Sequence, residues 1–456
     1  MHMIDMLQTI SKKIAIIGTA RAGKTVFLTS LLNHLIEHNR TDFVVGNSAG
    51  VQIADFKQKP VPPGVGAKFN YGACRDALVH NGRWPEKTKD TSHFICDFRR
   101  SDWKFFRSKL HFFDVPGERF ADVSIGQHEN YADWSDHMLE YILSDTVYRT
   151  LSEPLLNLQQ AAGNSINMTD ILAAYRETLA NYFLKFKPAI SPSTFILDQD
   201  GNTPKSKTRE DFLEEAKTRP LGLPPHKDKI LEFAPLSAEA RENNPDLTKA
   251  FEYAYKAYRK KIVMPLLEDL KSSNRLIILI DIPSLLNGGV AMYNDNREIL
   301  DNLFVVLEPE SWFWRLMLLG TNKGPAKIDR IAFVATKSDA THPIDVEEGR
   351  LLDLLRQMTE KFAYSLSDVE VEWFTCSAVV SAKAASGDYA MRGTLVESPA
   401  EGEIVYYVSK LPERWPQNWQ QGDYRFPTVL PRVPANRGIA PEQHGLDKIF
   451  SFITKD

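Results

Sequence analysis

Residues 18–25 read GTARAGKT, a short loop with glycine at both ends, closed by a lysine and a hydroxyl. Glycine reaches backbone conformations closed to other residues, so such a loop can turn its main-chain N–H groups onto phosphate oxygens. Lys24 then stands where an ammonium reaches the β and γ phosphates and assists their cleavage, and the Thr25 hydroxyl stands where it can ligate Mg²⁺. Gly18, Ala20, Arg21, Ala22, Gly23, Lys24, Thr25 and Val26 are the expected phosphate contacts. The plain alternative is a glycine-rich turn without a ligand, and the flanking sequence argues against it. Lys13-Ile14-Ala15-Ile16-Ile17 reads as a buried strand, and Thr25 to Glu37 carries Val26, Leu28, Leu31, Leu32, Leu35 and Ile36 at helical spacing. Strand, loop, helix is the context a phosphate loop requires, with the positive end of the helix facing the same anion.

Three further stretches end apolar runs. Asp114-Val115-Pro116-Gly117-Glu118 follows LHFF (110–113). A carboxylate at the carboxyl end of a parallel strand can hold Mg²⁺, usually through water, and Gly117 leaves its N–H free to approach a γ-phosphate. Such a segment is ordered by that phosphate and released without it, although Asp, Pro and Gly also suit a simple turn. Thr336-Lys337-Ser338-Asp339 follows IAFVA (331–335). Asp339 is suited to accept from N1–H and the exocyclic amine of guanine, whereas adenine would face it with an unpaired acceptor. Lys337 would lay its alkyl stem on the base plane. Thr375-Cys376-Ser377-Ala378 closes the last strand, and Ser377 and Ala378 are expected beside the guanine oxygen. A solvated loop explains any one of these stretches. Their order, and their placement at successive strand ends, favour a single guanine-nucleotide site.

Holding these loops together takes strands that end at one edge. Ser92 to Arg99 and Lys109 to Val115 read as an antiparallel hairpin, and strand character returns at 275–282, 330–335 and 371–376 with helical sequence between. That alternation predicts an α/β fold with a mostly parallel sheet and a large helical insertion. The expected boundaries are 11–119 for the first part of the core, with 41–92 as an irregular first-switch region, then 120–271 for the helical insertion. The second part of the core follows at 272–383. Residues 384–440, rich in Pro, Gly and Trp, read as an irregular excursion, and 441–456 as a closing helix.

The 456 residues are 43% hydrophobic and 25% charged, which fits a globular protein of two or three domains. A net charge of −4 offers no general attraction to nucleic acid, and none is expected as a partner. Three dispersed cysteines without a CxxC pair argue against a zinc site or disulfide framework and fit a reducing compartment. The eleven histidines show no paired-ligand spacing. No stretch reads as a signal peptide, and the longest apolar run, Leu276 to Ile280, is too short for a bilayer, so a soluble cytoplasmic protein is expected. The basic, aromatic segment Tyr255 to Lys261 reads as a solvated helix face.

GxxxxGKT, DxxG, TKxD and SA, in this order, resemble the pattern of the P-loop GTPases. More narrowly, the arginine-bearing P-loop, Trp84-Pro85 ahead of the first switch, TKSD and the long helical insertion look like the YcjX family of bacterial stress-associated P-loop proteins. The resemblance implies Mg²⁺ and GTP/GDP as ligands, hydrolysis of GTP to GDP and phosphate, a link to envelope stress, and a cytoplasmic protein, at most peripheral to the inner membrane. Members of the family have been labelled both ATPase and GTPase-like, so an ATPase using the same P-loop is the alternative, beside a nucleotide-bound scaffold that does not hydrolyse. Thr336 replaces the commoner Asn of NKxD, which usually tethers the P-loop. Arg21 resembles the inward-looking arginine of the guanylate-binding proteins and atlastin, a cis arginine finger; otherwise it points to solvent or pairs with a carboxylate of the insertion.

A first-switch threonine is expected on Mg²⁺. Thr88 and Thr91 both qualify, and Thr88 is favoured by its distance to Trp84-Pro85. Glu118 takes the position after DxxG where many members orient the attacking water. A carboxylate is awkward beside a polyanion, so Glu118 is either catalytic or a structural switch residue, and slow intrinsic turnover is expected. The second switch runs directly into the insertion, which makes the helical domain the expected surface for an unidentified protein effector. An arginine finger of this kind is also compatible with activation through a homodimer.

Overall fold

The computed structural model describes residues 8–455 apart from 20, 39–42, 47–49, 87–89, 105, 162–164, 186–189, 198–207, 227–228, 308–327, 366–368 and 435–438. The chain divides into two compact units. One comprises Met1–Gly117, Leu270–Tyr293 and Gly324–Asp456, and the other Glu118–Asp269 with Asn294–Lys323.

In chain order the first unit supplies β1 (Gln8–Gly18), β2 (Ile53–Lys59), β3 (Ala67–Lys68), β4 (Ser92–Arg100) and β5 (Phe106–Asp114). The second unit supplies β6 (Gly222–His226) and β7 (Lys229–Glu232), and the first resumes with β8 (Arg275–Ile280), β9 (Arg330–Ala335) and β10 (Glu370–Thr375). The main sheet runs β10-β9-β8-β1-β5-β4-β2, with β3 beside β4. All neighbours from β10 to β5 are parallel. β4 pairs antiparallel with β5, and β2 antiparallel with β4. The fold is therefore α/β with a mostly parallel sheet. β8 (RLIILI) and β9 (RIAFVA) are buried at every position, as strands covered on both faces must be. At the edge, β2 (IADFKQK) exposes polar and charged residues, which discourages pairing with another chain.

The region 41–92, read as irregular, contains β2, β3 and the helix Tyr71–Val79. A short edge strand whose alternation is mostly polar gains its identity from pairing with β4, and that pairing is invisible to local periodicity. Likewise the excursion 384–440 holds β12 (Ala390–Thr394) and β13 (Glu403–Tyr407), which complete a three-stranded antiparallel sheet with β11 (Lys383–Ala384).

The closing helix, Leu446–Thr454, buries Leu446, Ile449, Phe450 and Ile453 in the same core as Leu28, Leu31, Leu32 and Leu35 of the P-loop helix Lys24–Ile36. Its carbonyl end is met by cations from three strands, β1, β8 and β9. Lys12 Nζ donates to Thr454 O at 2.5 Å, Arg275 Nε donates to Ile453 O at 3.2 Å, and Arg330 donates to Lys455 O. Positive charge at a helix carboxyl terminus satisfies orphan carbonyls and complements the dipole.

The second unit is mainly helical, with Tyr131–Ser144, Met168–Lys185 and Pro245–Tyr258 as principal helices and the β6–β7 hairpin beside them. Tyr131, Trp134, Phe233, Phe251 and Tyr255 form an aromatic core with edge-to-face and tilted rings about 5–6 Å apart. In the basic, aromatic segment Tyr255 and Tyr258 are buried, and Lys256, Lys260 and Lys261 face outward. Residues 294–307, expected within the second part of the core, group with this unit. Among the described residues no helix is long and apolar enough to cross a membrane.

Candidate nucleotide site

β1 ends at Gly18, in register with Leu279 of β8. A Cβ at Gly18 would lie 2.4 Å from Leu279 O, so only glycine lets loop and strand pass this closely. Arg21 (φ 66°) and Gly23 (φ 89°) are both left-handed, a conformation that a residue carrying a side chain adopts only where its surroundings impose it. Ala22 N donates to Thr19 O at 3.2 Å and closes the loop, while the Arg21 side chain is exposed. Lys24 Nζ folds back over the loop and donates to Gly18 O and Thr19 O, each at 2.9 Å.

Ile16 of β1 stands opposite Asp114 of β5, which brings the ends of the two strands side by side. Thr25 Oγ1 donates to Asp114 Oδ2 at 3.0 Å, and Asp114 is fully buried. The two expected metal ligands thus meet. A hydroxyl and a carboxylate are hard oxygen donors, and Mg²⁺ characteristically takes few protein ligands and fills its octahedron with water and phosphate, so these residues fit the ion. Among the described residues no cluster of His, Cys, Asp or Glu offers another metal site. Gly117 opens a tight 3₁₀ turn, Gly117–Asp122, directly after β5.

The loops expected to face the base lie at the ends of β8, β9 and β10. Thr336 N donates to Ile280 O at 2.9 Å and its Oγ1 to the same carbonyl at 3.4 Å, tying β9 to β8. Lys337 is left-handed (φ 56°) and its Nζ pairs with Asp281 Oδ2 at 2.5 Å. Asp339 accepts from Ser377 Oγ at one oxygen and from Ser381 N (2.7 Å) and Ala382 N (3.3 Å) at the other. Burial raises the Asp339 pKa above the usual carboxylate range, and these hydrogen bonds pull the other way. Ser377 exchanges backbone bonds with His444, N to O at 2.9 Å and back at 2.8 Å, and Ser30 Oγ donates to Ala378 O at 2.5 Å. The 375–378 loop is thereby fastened to the chain just ahead of the closing helix and to the P-loop helix.

A family model described as the YcjX-like family, DUF463, matches residues 12–205 and 223–456. The chain belongs to the YcjX-like family. Two similar proteins are each named Ras-like GTPase YcjX. The one from Escherichia coli (strain K12) is 24% identical over 450 residues, 92% of this chain and 90% of its own length. The one from Shewanella oneidensis (strain MR-1) is 23% identical over 484 residues, covering 96% and 91%. A solved chain titled "Signal recognition particle receptor SRb-GTP/SRX complex from Chaetomium thermophilum" is 12% identical, covering 82% of this chain and 96% of that one. Its TM-score of 0.28 is too low to bear on the fold.

In this YcjX-like chain the residues that come together in the first unit are those of the P-loop, Asp114, and the Thr336–Asp339 and Ser377–Ala378 loops, all at the carboxyl edge of one sheet. Ala20 and Thr88 lie outside the described residues. Thr91 is partly buried just ahead of β4, and Trp84 Nε1 donates to Val429 O at 2.9 Å. Glu118 is buried and begins the second unit. Sequence reasoning missed Asp281, the Ser381 and Ala382 N–H groups, and Gly445. Asp281 did carry a signal, as an acid ending an apolar strand two residues before a proline. Gly445 has φ 75°, and a Cβ there would sit 2.3 Å from Thr375 O, which no sequence pattern announces.

Proposed function

We propose that this protein is a Mg²⁺-dependent GTP-binding switch that hydrolyses GTP to GDP and phosphate, slowly when alone. The reading is carried by the 3.0 Å contact between Thr25 Oγ1 and Asp114 Oδ2 beside the P-loop lysine. It joins, from distant segments, the donors that a metal-bound triphosphate requires. The names of the two relatives, and an aspartate at the end of β9, support guanine as the base.

Bound Mg²⁺ would neutralise phosphate charge and polarise the γ-phosphoryl group. Lys24 would exchange Gly18 O and Thr19 O for phosphate oxygens, with Thr25 and Asp114 holding the ion. Arg21, exposed on a loop that must face the phosphates, is the proposed cis finger, a contribution of about 10³–10⁵ in rate where such an arginine acts. Gly117 N–H would meet the γ-phosphate, and the carboxylate of Glu118, next in the chain, would keep intrinsic turnover slow.

The segment after Gly117 is built into the second unit. Arg119 Nη1 donates to Ser193 Oγ at 2.9 Å and to Tyr258 OH at 3.4 Å, and Asp122 accepts from Ser193 N at 2.8 Å and Tyr258 OH at 2.7 Å. A γ-phosphate-dependent shift at Gly117 would therefore reach the helix Pro245–Tyr258, and the second unit is the proposed surface for an effector or a second copy of the chain. Equal hydrogen exchange of 118–269 with GDP and with a non-hydrolysable GTP analogue would reject that coupling.

One observation favours a second reading, an ATPase on the same P-loop: both oxygens of Asp339 already serve the 377–382 loop. Calorimetry with GDP, GTP and ATP in Mg²⁺ separates the two. Guanine nucleotides binding well above ATP support the first, comparable uptake of ATP supports the second, and uptake of none removes the site.

A further inference from the structure

A single acid at the base side holds two partners. Asp281 follows β8 and is 6% exposed. Its Oδ1 accepts from Ser284 N at 3.1 Å and its Oδ2 from Ser284 Oγ at 2.6 Å, capping the helix Ile282–Gly288. The same Oδ2 accepts from Lys337 Nζ at 2.5 Å. The cap needs only a short side chain bearing an oxygen, so Ser or Asn would serve as well. The ion pair with Lys337 is what requires the charge. The Lys337 backbone is also held, left-handed, with Ala340 N donating to its carbonyl at 2.9 Å. With backbone and ammonium both fixed, 40% of the side chain remains exposed, at the strand-end edge that carries Asp339.

We infer that Asp281 is a positioning residue for base recognition: it anchors the Lys337 ammonium so that the alkyl stem becomes a fixed apolar platform for one face of a purine. The inference rests on the guanine-nucleotide reading above. A free lysine gives up rotamer freedom when a base lands on it, and an anchored one has already done so. The anchor acts on the base alone, because the phosphate grip belongs to Lys24, Thr25 and Asp114 on other segments.

Asp281→Asn keeps a capping oxygen and removes the charge. Calorimetry in Mg²⁺ compares GDP with inorganic tripolyphosphate, a base-free probe, for the wild type, Asp281→Asn, Lys337→Ala and the double variant. Asp281→Asn should weaken GDP roughly tenfold, on the order of the freedom a lysine loses when immobilised, and leave tripolyphosphate unchanged. The double variant should bind GDP no worse than Lys337→Ala alone, since both changes remove one platform. Unchanged GDP affinity in Asp281→Asn, an equal loss of both ligands, or additive losses in the double variant would each overturn the inference. Wild-type protein that takes up tripolyphosphate but not GDP would instead overturn the guanine reading, and this inference with it.

Discussion

Thr25 and Asp114 are 3.0 Å apart at the P-loop, and the triphosphate reading depends on them more than on any other pair. Replacing Asp114 by Asn should weaken Mg²⁺-GTP roughly 10–100-fold and leave affinity in EDTA little changed, because what is lost is a charged metal partner. Calorimetry with and without chelator checks it, and an equal loss in both conditions would make Asp114 structural. Arg21 has φ 66° and an exposed side chain, which suits a reach toward the phosphates. Arg21→Ala should lower GTP turnover by about 10²-fold or more with nucleotide affinity kept. Unchanged kcat would remove Arg21 from catalysis. These residues were legible as types and spacings, since glycine, lysine and threonine act locally in a loop. The partners of Asp339 and Lys337 were not, because Ser381, Ala382 and Asp281 come from other segments of the chain.

Among elements, the closing helix is the one whose start matters most to the site. Gly445 is left-handed and its missing Cβ is the room in which Thr375 O sits. Gly445→Ala should cost about 2 kcal/mol or more, by strained backbone and a displaced strand end. It should also weaken guanine nucleotides by disturbing Ser377, whose backbone pairs with His444. Urea unfolding measures the first effect, and a change below about 0.5 kcal/mol would mean the strand end yields without cost. The helix itself was evident from its apolar periodicity. β2 and the β11–β13 sheet were not, since short strands owe their state to their neighbours.

At the scale of the molecule, acid should loosen the first unit. His34 is buried, 3.0 Å from Pro441 O and stacked on Phe43. Burial, only partly offset by the Pro441 carbonyl and Asp447, holds its pKa down to about 4. The unfolded chain therefore binds a proton here more readily than the folded one. Stability due to the neutral imidazole is present above pH about 6.5 and is lost as pH falls toward 4, up to about 3 kcal/mol. Asp295 has the opposite sign. Burial raises it to about 7, so its contribution is present at low pH and lost as pH rises through 7, despite hydroxyl donors from Tyr141 and Tyr148. Denaturation across pH should show a shallower acid loss in His34→Gln, and in Asp295→Asn a smaller loss of stability as pH rises from about 4 to 7. Parallel curves for variant and wild type would contradict these assignments.

The sequence by itself determined that four loops with the residue types expected for phosphate and base chemistry follow in order on the ends of apolar strands, because glycine turns and continuous apolar runs act over a few residues. It also determined that those strands are mostly parallel, from the helices between them. Only the tertiary structure decided that Thr25 meets Asp114, that Asp339 is shared with the 377–382 loop, and that 294–307 group with the second unit. Each of these is set by which distant segments pack together and which charges lose water there. That depends on the whole chain and leaves no periodic trace in any one stretch.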